Sequence, residues 1–314
     1  MTSNKPEKTA EEPDMKAIES IQQALDAIES GLAEKIEIHG LAAQVALSPF
    51  YFHRLFKSAV GYTVEEYIRL RRLARSTELI RAGTAITAAA MECGFESPSH
   101  FSSSFRDTYG MTPSEFQSAK PPLFHVMKPD IMLMNRNLGI GELYVSKGII
   151  LQIDVKQLEE THLIGIDLFC PFGIGSPGVD HPGIAWDRFH ATKHQIANRC
   201  EPRTEFGISH RAEDGCSNGF RYLAAAKVGQ PCRPPEGMAA LTLPAGMYAC
   251  CVYQNESFEA GVSVNLKTAI EYLCKWQTEN GYEMDEDWFE AEYYGPAAFA
   301  EPYQIEIWHH VRKV

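Results

Sequence analysis

The chain has 314 residues, 45% of them hydrophobic and 22% charged, a composition of ordinary globular material with room for two domains. No run approaches the roughly 18 apolar residues that a membrane-spanning helix needs, so the sequence gives no expectation of a membrane partner. The formal net charge of −12 argues against a nucleic-acid partner only as a sum, because a sum hides how charge is distributed.

Residues 1–14, MTSNKPEKTAEEPD, are polar with two prolines and read as a disordered tail. They lack the apolar stretch of a secretion signal, so the expected compartment is the cytoplasm. From Met15 the pattern turns helical: Ile18, Ile21, Leu25, Ile28 and Leu32 recur at steps of three and four and make one apolar face. LAAQVAL follows as a short alanine-rich helix. Ser48 then offers an N-cap and Pro49 suits the first helical position, which predicts a new helix. Phe52, Leu55 and Phe56 form its inward stripe, leaving Tyr51, His53, Arg54 and Lys57 on other faces.

A short helix, a tight turn and a second capped helix displaying Arg and His is the physical form of a helix-turn-helix. The second helix can enter the major groove, where Arg donates two bonds to guanine. One such unit alone could equally be a plain helical hairpin, but this one is written twice. SPFYFHRLFKSAVGYT from Ser48 and SPSHFSSSFRDTYGMT from Ser97 align at an offset of 49 residues. Pro49 falls on Pro98, Phe52 on Phe101, Phe56 on Phe105, Lys57 on Arg106 and Gly61 on Gly110. Between the copies, TVEEYIRLRRLARSTELIRAG reads as one long helix stopped by Gly83. From Ser48 to Arg81 seven cations stand against three anions, whereas YEMDEDWFEAE in the other half is strongly acidic. Two recognition helices joined by a rigid helix can enter successive major-groove faces without dimerising, and phosphates neutralised by this basic region supply the salt-dependent part of affinity.

From about Ile18 to Ala119 the chain resembles the AraC-family DNA-binding domain. The family's most specific stretch usually reads G-F-x-S-x-x-x-F-x-x-x-F-(K/R)-x-x-x-G-x-(T/S)-P-x-x-(Y/F), and it stands here complete as GFESPSHFSSSFRDTYGMTPSEF. The resemblance implies a sequence-specific transcription regulator, activation being the commoner role, with double-stranded DNA as partner and RNA polymerase as a further candidate. It implies DNA contacts from Ser48, Phe50, Tyr51, His53, Arg54 and Lys57 in the first recognition helix. In the second it implies Ser97, Ser99, His100, Ser103 and Arg106. Ser103 stands where the family usually has Arg, so the second helix is expected to read sequence less stringently; Arg106 is expected on phosphate.

Residues 121–148 have prolines, glycines and no sustained period and read as a linker, although their many apolar residues point to packing. The pattern then alternates. IILQIDV, HLIGIDLF, TEFGISH, FRYLAAAKV, AALTLP, GMYACCVYQ, DWFEAEYY and YQIEIWHHV read as strands. GIAWDRFHATKHQIANRC and FEAGVSVNLKTAIEYLCKWQTENG read as two helices. The fold class is therefore multidomain: an all-α domain over 15–120 with two helix-turn-helix units joined by a long helix, then an α+β domain over 149–314 with an antiparallel sheet and two main helices.

EFGISH, FRYLAAAKV, LPAGMYACCVY, FEAEYY and the closing IEIWHHV, in that order, resemble the GyrI-like domain, the effector-binding part of some regulators. An AraC-like reader followed by a GyrI-like sensor is similar to the Rob-type architecture. The resemblance implies two strand-helix-strand-strand halves forming a saddle, an aromatic-lined site for a small cationic or amphipathic effector, and a buried Glu near the end of the chain. Glu290 is the best positional match in FEAEYY, with Glu292 a register slip away. A carboxylate among Trp288, Phe289, Tyr293 and Tyr294 would favour a cation through charge and ring quadrupoles. Alternation puts Glu290 and Glu292 on one face and Phe289, Ala291 and Tyr293 on the other. Trp186, Tyr222, Tyr253, Trp276 and Trp308 are further site candidates that could equally be core.

Other signals carry less. GIGSPGVDHPG lacks the Lys-Ser/Thr of a phosphate loop and reads as a flexible loop. The eight cysteines form no C-x-x-C pair and read as reduced structural thiols. His190 and His194 are four apart on a helix but have no third ligand in view, so no metal and no cofactor is expected. No nucleophile–base pair is evident and an enzyme is not expected. Two rival readings stay open: hydrolysis of a reactive small molecule, as in some GyrI-like domains, and a protein-binding module.

Overall fold

The computed structural model of the chain describes residues 15–146, 149–171, 178–200, 203–211, 219–284 and 289–314. The tail expected over 1–14, residues 173–177 of the glycine-rich loop, Trp288 and the side chain of Phe289 lie outside the described residues, while the rest of that loop forms the short strand Gly178–Val179 and the start of the helix His181–Thr192. Among the described residues the N-terminal part has seven helices: α1 (Met15–Ser30), α2 (Ile38–Gln44), α3 (Pro49–Val60), α4 (Val64–Arg81), α5 (Ile86–Glu92), α6 (Pro98–Tyr109) and α7 (Pro113–Ala119). The duplication extends into the caps. Ser48 accepts from the Tyr51 amide at 3.4 Å and Ser97 from the His100 amide at 3.2 Å. Thr63 with Glu66, and Thr112 with Glu115, make reciprocal capping boxes at the starts of α4 and α7. Gly61 and Gly110, at φ of 82° and 72°, end α3 and α6 in the left-handed conformation that a side chain disfavours.

Each unit has its own core, and α4 serves both. Ile21, Leu25, Ile28, Phe52, Phe56 and Tyr67 fill the first; Leu73, Ile80, Phe101, Phe105 and Phe116 fill the second. The arginines of α4 correct an expectation, since most of them are engaged inside the chain. Arg71 donates to both carboxylate oxygens of Glu29, at 2.8 and 2.9 Å, and to the Val126 carbonyl at 2.7 Å. Arg72 donates to the carbonyls of Leu32 and Glu34, Arg69 to the Thr108 hydroxyl, and Arg81 to the carbonyls of Lys120 and Pro121. These side chains fasten the two units to each other and to the segment beginning at Lys120, and Arg75 is left exposed.

The expected linker is an ordered strap containing β1 (Leu123–Phe124), α8 (Ile131–Met134) and β2 (Leu143–Ser146). Its apolar residues face both ways: Val126 and Ile131 join the first helical core, and Leu133, Leu138 and Tyr144 join the core of the C-terminal part. At its start, His125 Nε2 lies 3.2 Å from the Thr77 hydroxyl and Nδ1 2.9 Å from the Tyr109 hydroxyl. Thr77 spends its only hydroxyl proton on the Ala74 carbonyl, so it accepts from Nε2–H and Tyr109 donates to Nδ1. The ring is thus held neutral. Burial, with Arg71 and Arg81 nearby, lowers its pKa from the ordinary 6.5 to about 4. The unfolded chain therefore takes up this proton first as pH falls. Stability is complete above about pH 6.5 and is lost progressively toward pH 4, by up to about 3 kcal/mol at 1.36 kcal/mol per tenfold preference. Thermal unfolding followed across that range should show this slope, and His125→Gln should flatten it.

The C-terminal part continues with β3 (Ile149–Leu158), β4 (Thr161–Pro171), β5 (Gly178–Val179), α9 (His181–Thr192), β6 (Glu205–His210) and β7 (Gly219–Val228). After β8 (Ala239–Leu243) and β9 (Gly246–Asn255), the short α10 (Phe258–Ala260) and a π-helical turn lead into α11 (Leu266–Glu279). Strands β10 (Tyr282–Met284), β11 (Phe289–Tyr294) and β12 (Gln304–Lys313) close the chain. The main sheet runs β2-β3-β9-β12-β11-β6-β7-β4-β8, antiparallel throughout, with β10 pairing the far end of β12. Halves β4-α9-β6-β7 and β9-α11-β11-β12 meet at the central β6–β11 pair. Trp186 of α9 packs against the cores beneath both helices. Strand β1 pairs with β5, so the strap touches the segment that leads into α9.

Candidate functional site

On the helical part, the sequence-expected residues of α3 lie on its outer surface. Phe50 is 73% exposed, Tyr51, Arg54 and Lys57 are exposed, and His53 is half-buried against Phe52. The Arg54 guanidinium lies 5.8 Å from the Phe50 ring centre, and a shallow open depression is lined by His53, Arg54, Lys57, Ser58 and Thr63. On α6, Ser99, His100, Ser103 and Arg106 are exposed. The Ser103 hydroxyl turns back to the His100 carbonyl at 3.1 Å, so this helix presents a short side chain where α3 presents Arg54. Ser48 and Ser97 hold their helix starts, which occupies their hydroxyl oxygens as acceptors.

In the sheet, alternation fixes what can meet. Glu290, Glu292 and Tyr294 share the helix-covered face of β11 with Ser209, Gly207 and Glu205 opposite them on β6. Glu292 is 5% exposed, and its Oε2 accepts from the Tyr222 hydroxyl at 2.8 Å and the Tyr294 hydroxyl at 2.7 Å. Trp186 Nε1 donates to the Tyr222 hydroxyl at 2.9 Å, and its ring meets Tyr294 edge-on at 5.3 Å. Burial pushes the Glu292 carboxyl up to about 7 against the two tyrosine bonds, which favour its charged form. The Tyr222 and Tyr294 hydroxyls are raised well above 10 by burial and by this carboxylate. Tyr253 is buried close enough to feel the same charge, and its hydroxyl donates to the Gly261 carbonyl at 3.2 Å.

The other expected residues go elsewhere. Tyr293 and Trp308 stack on each other at 4.5 Å on the opposite face, with Phe206, because residues 291 and 293 point away from 292. Trp276 donates to the Leu138 carbonyl at 2.7 Å and stacks on Tyr282, a core position under α11. Glu290 is not the buried carboxylate; its side chain contacts His309. The register favours Glu292 for a reason the chain itself supplies. Its neighbour on β6 is Gly207, and any Cβ there would run into the Tyr222 hydroxyl and the Glu292 carboxylate. Three further residues frame the cluster: Phe258 lies 6.0 Å from Tyr294 and stacks on Phe299 at 5.5 Å, and the Arg203 guanidinium sits 3.7 Å over Phe299. Nothing in the sequence signals Phe258, Phe299 or Arg203 as neighbours of this cluster. A second buried carboxylate on this face, Glu205, is raised by burial but more strongly lowered by His190, Arg203 at 2.6 Å and Lys193 at 2.7 Å, which bring it to about 2 and leave it already satisfied.

Comparison with known proteins gives two family matches: a helix-turn-helix domain over residues 41–119 and a GyrI-like small molecule binding domain over residues 151–312. Among curated relatives, the chain is 36% identical over 107 residues to the probable transcriptional regulator LumQ of Photobacterium leiognathi, covering 33% of this chain and 43% of that protein. It is 26% identical over 148 residues to the transcriptional regulator Rob of Salmonella typhimurium, covering 46% of this chain and 47% of that one. The match thus spans less than half of either relative's length. A solved AraC-type regulator structure from Chromobacterium violaceum aligns over 34% of this chain and 99% of its own, at 28% identity and a TM-score of 0.32. No described helix is long and apolar enough to cross a membrane.

Proposed function

The chain belongs to the family of the GyrI-like small molecule binding domain and carries an AraC-type helix-turn-helix domain before it, and on that premise we propose that it is a cytoplasmic transcription regulator whose C-terminal half senses a small amphipathic cation. The observation that carries the sensing half is the Glu292 cluster: a carboxylate enclosed by Tyr222, Tyr294 and the edge of Trp186. Aromatic walls around a single anionic oxygen suit a lipophilic cation, which the rings attract and the carboxylate neutralises. In this reading the cation reaches Glu292 as Trp186 gives up its bond to Tyr222, and α9, which carries Trp186, shifts with it.

That movement has a path to DNA. The Asp180 amide, at the start of α9, donates to the Pro122 carbonyl at 3.0 Å, and the next strap residues pair with β5. His125 then meets Tyr109, the last residue of α6. The proposed coupling runs along these bonds, with effector binding biasing the setting of the second recognition helix. Activation through contact with RNA polymerase is the role we assign, following the family's commoner use.

Calorimetric titration of the full chain with dodecyltrimethylammonium, against neutral dodecanol, tests the sensing half. Saturable binding of the cation alone supports it, equal binding of both argues against it, and turnover of the probe would favour the hydrolase reading. For DNA, Arg54→Ala should lower specific affinity roughly ten- to a hundredfold and relax base preference in one half-site. Ser103→Ala should change little, because its hydroxyl is turned to its own helix. Selecting bound sequences from random DNA with each variant reads both effects; equal losses would contradict an asymmetric reader.

A further inference from the structure

At the far end of the same sheet face, three donors of different chemistry converge from three elements. Glu290 of β11 and His309 of β12 are direct cross-strand partners, and Cys274 comes down from α11. Their ligand atoms all lie within 4.8 Å of one another, and His309 Nε2 is 3.3 Å from Glu290 Oε2. No other group of three such residues occurs among the described residues. His190 and His194, the pair visible in the sequence, do not form one: His190 faces Glu205 and His194 is exposed.

The hydrogen bonding of His309 sharpens what the cluster can hold. Its ring is fully buried, and Nδ1 lies 2.9 Å from the Gln277 side-chain carbonyl oxygen. That oxygen can only accept, so Nδ1 carries the hydrogen and Nε2 is the ring nitrogen turned to the Glu290 carboxylate. At 3.3 Å, Nε2 and the carboxylate oxygen share one positive charge, and a metal ion can take the place of a proton there. Gln277 stands three residues after Cys274 on the same helix face and fixes the ring as an outer partner fixes a ligating histidine.

We propose that Cys274, Glu290 and His309 bind a borderline divalent transition metal of the zinc type, with one coordination position left open. Thiolate, imidazole and carboxylate together match that class, whereas calcium and magnesium want oxygen donors throughout. Zinc bonds of about 2.0–2.3 Å place tetrahedral donors roughly 3.5 Å apart, so closure takes a shift on the order of 1 Å. Cys274 can supply that shift because it is exposed on α11, while Glu290 and His309 stand on the two strands beneath. A site with three protein ligands keeps a fourth position for solvent or a bound molecule. This inference is independent of the cation-sensing reading, since it uses neither Glu292 nor its tyrosines.

The test is titration of the metal-stripped, tag-free full chain with cobalt(II), read by absorption. One equivalent should bind with a thiolate-to-cobalt charge-transfer band, and zinc should displace it. Cys274→Ser, at an exposed position, should remove the band without changing the circular dichroism. Gln277→Ala should weaken binding about ten- to a hundredfold while the band persists at saturation. The proposal is overturned if no such band forms, or if the band survives Cys274→Ser and so belongs to another thiol. It is equally overturned if NMR shows His309 doubly protonated at neutral pH with cobalt or zinc present, which makes the cluster a plain ion pair.

Discussion

Replacing Glu292 by glutamine is expected to weaken binding of dodecyltrimethylammonium by about 2–5 kcal/mol, some thirtyfold to several thousandfold, while binding of neutral dodecanol stays as it is. The size follows from burial. A cation seated among Tyr222, Tyr294 and Trp186 has left water, and Glu292 is the carboxylate that the two tyrosine hydroxyls hold at the centre of this aromatic set. Glutamine keeps the shape and still accepts from both hydroxyls, but it offers the cation a dipole in place of a charge. The fold should be untouched, because a neutral group suits this desolvated position better than a charged one. Calorimetric titration of both probes against both proteins reads the effect, and an unchanged affinity for the cation would place the site elsewhere.

Arg71→Ala should have the largest effect on the helical part. The guanidinium joins α1 through Glu29, and the strap through the Val126 carbonyl, from a position on α4 where its side chain is 16% exposed. Removing it leaves the Glu29 carboxylate with the Tyr67 hydroxyl and no countercharge. Breaking a largely buried pair in this way costs about 3 kcal/mol, which lowers the melting temperature of a domain of this size by roughly 10–25 °C. Circular dichroism melting measures it directly. If the arginine served DNA phosphates instead, Arg71→Ala would leave the melting curve in place and flatten the salt dependence of DNA binding by about one unit of slope.

Arg71 also shows where sequence reading ends. The two helix-turn-helix units are legible because every determinant is local: Ser48-Pro49 and Ser97-Pro98 set the caps, and the phenylalanines repeat at fixed spacing. Which of seven clustered cations are free is not local, since the Glu29 that engages Arg71 lies 42 residues away. In the sheet, alternation already separates Tyr293 from Glu290 and Glu292, and the structure keeps that separation. The choice between the two glutamates was not available from β11 alone. It depends on the cross-strand partner, and Gly207 is informative through the side chain it lacks. Trp186, Tyr222 and Tyr253 gather near Glu292, while Trp276 and Trp308 do not, because helix and strand phase decide the face and aromatic identity does not. Cys274, Glu290 and His309 have no motif spacing at all; antiparallel pairing of β11 with β12 beneath α11 is what brings them together.

The proposed function makes the two halves one switch, with occupancy of the Glu292 cluster felt at the recognition helices through the strap. It stands or falls on the affinity of the full chain for its selected operator, at one fixed salt concentration, with and without saturating dodecyltrimethylammonium. The wild-type chain should show a shift of roughly five- to a hundredfold, within the usual range of coupling between sites, and Glu292→Gln should show none. Identical operator affinity with and without bound cation in the wild-type chain would refute the switch.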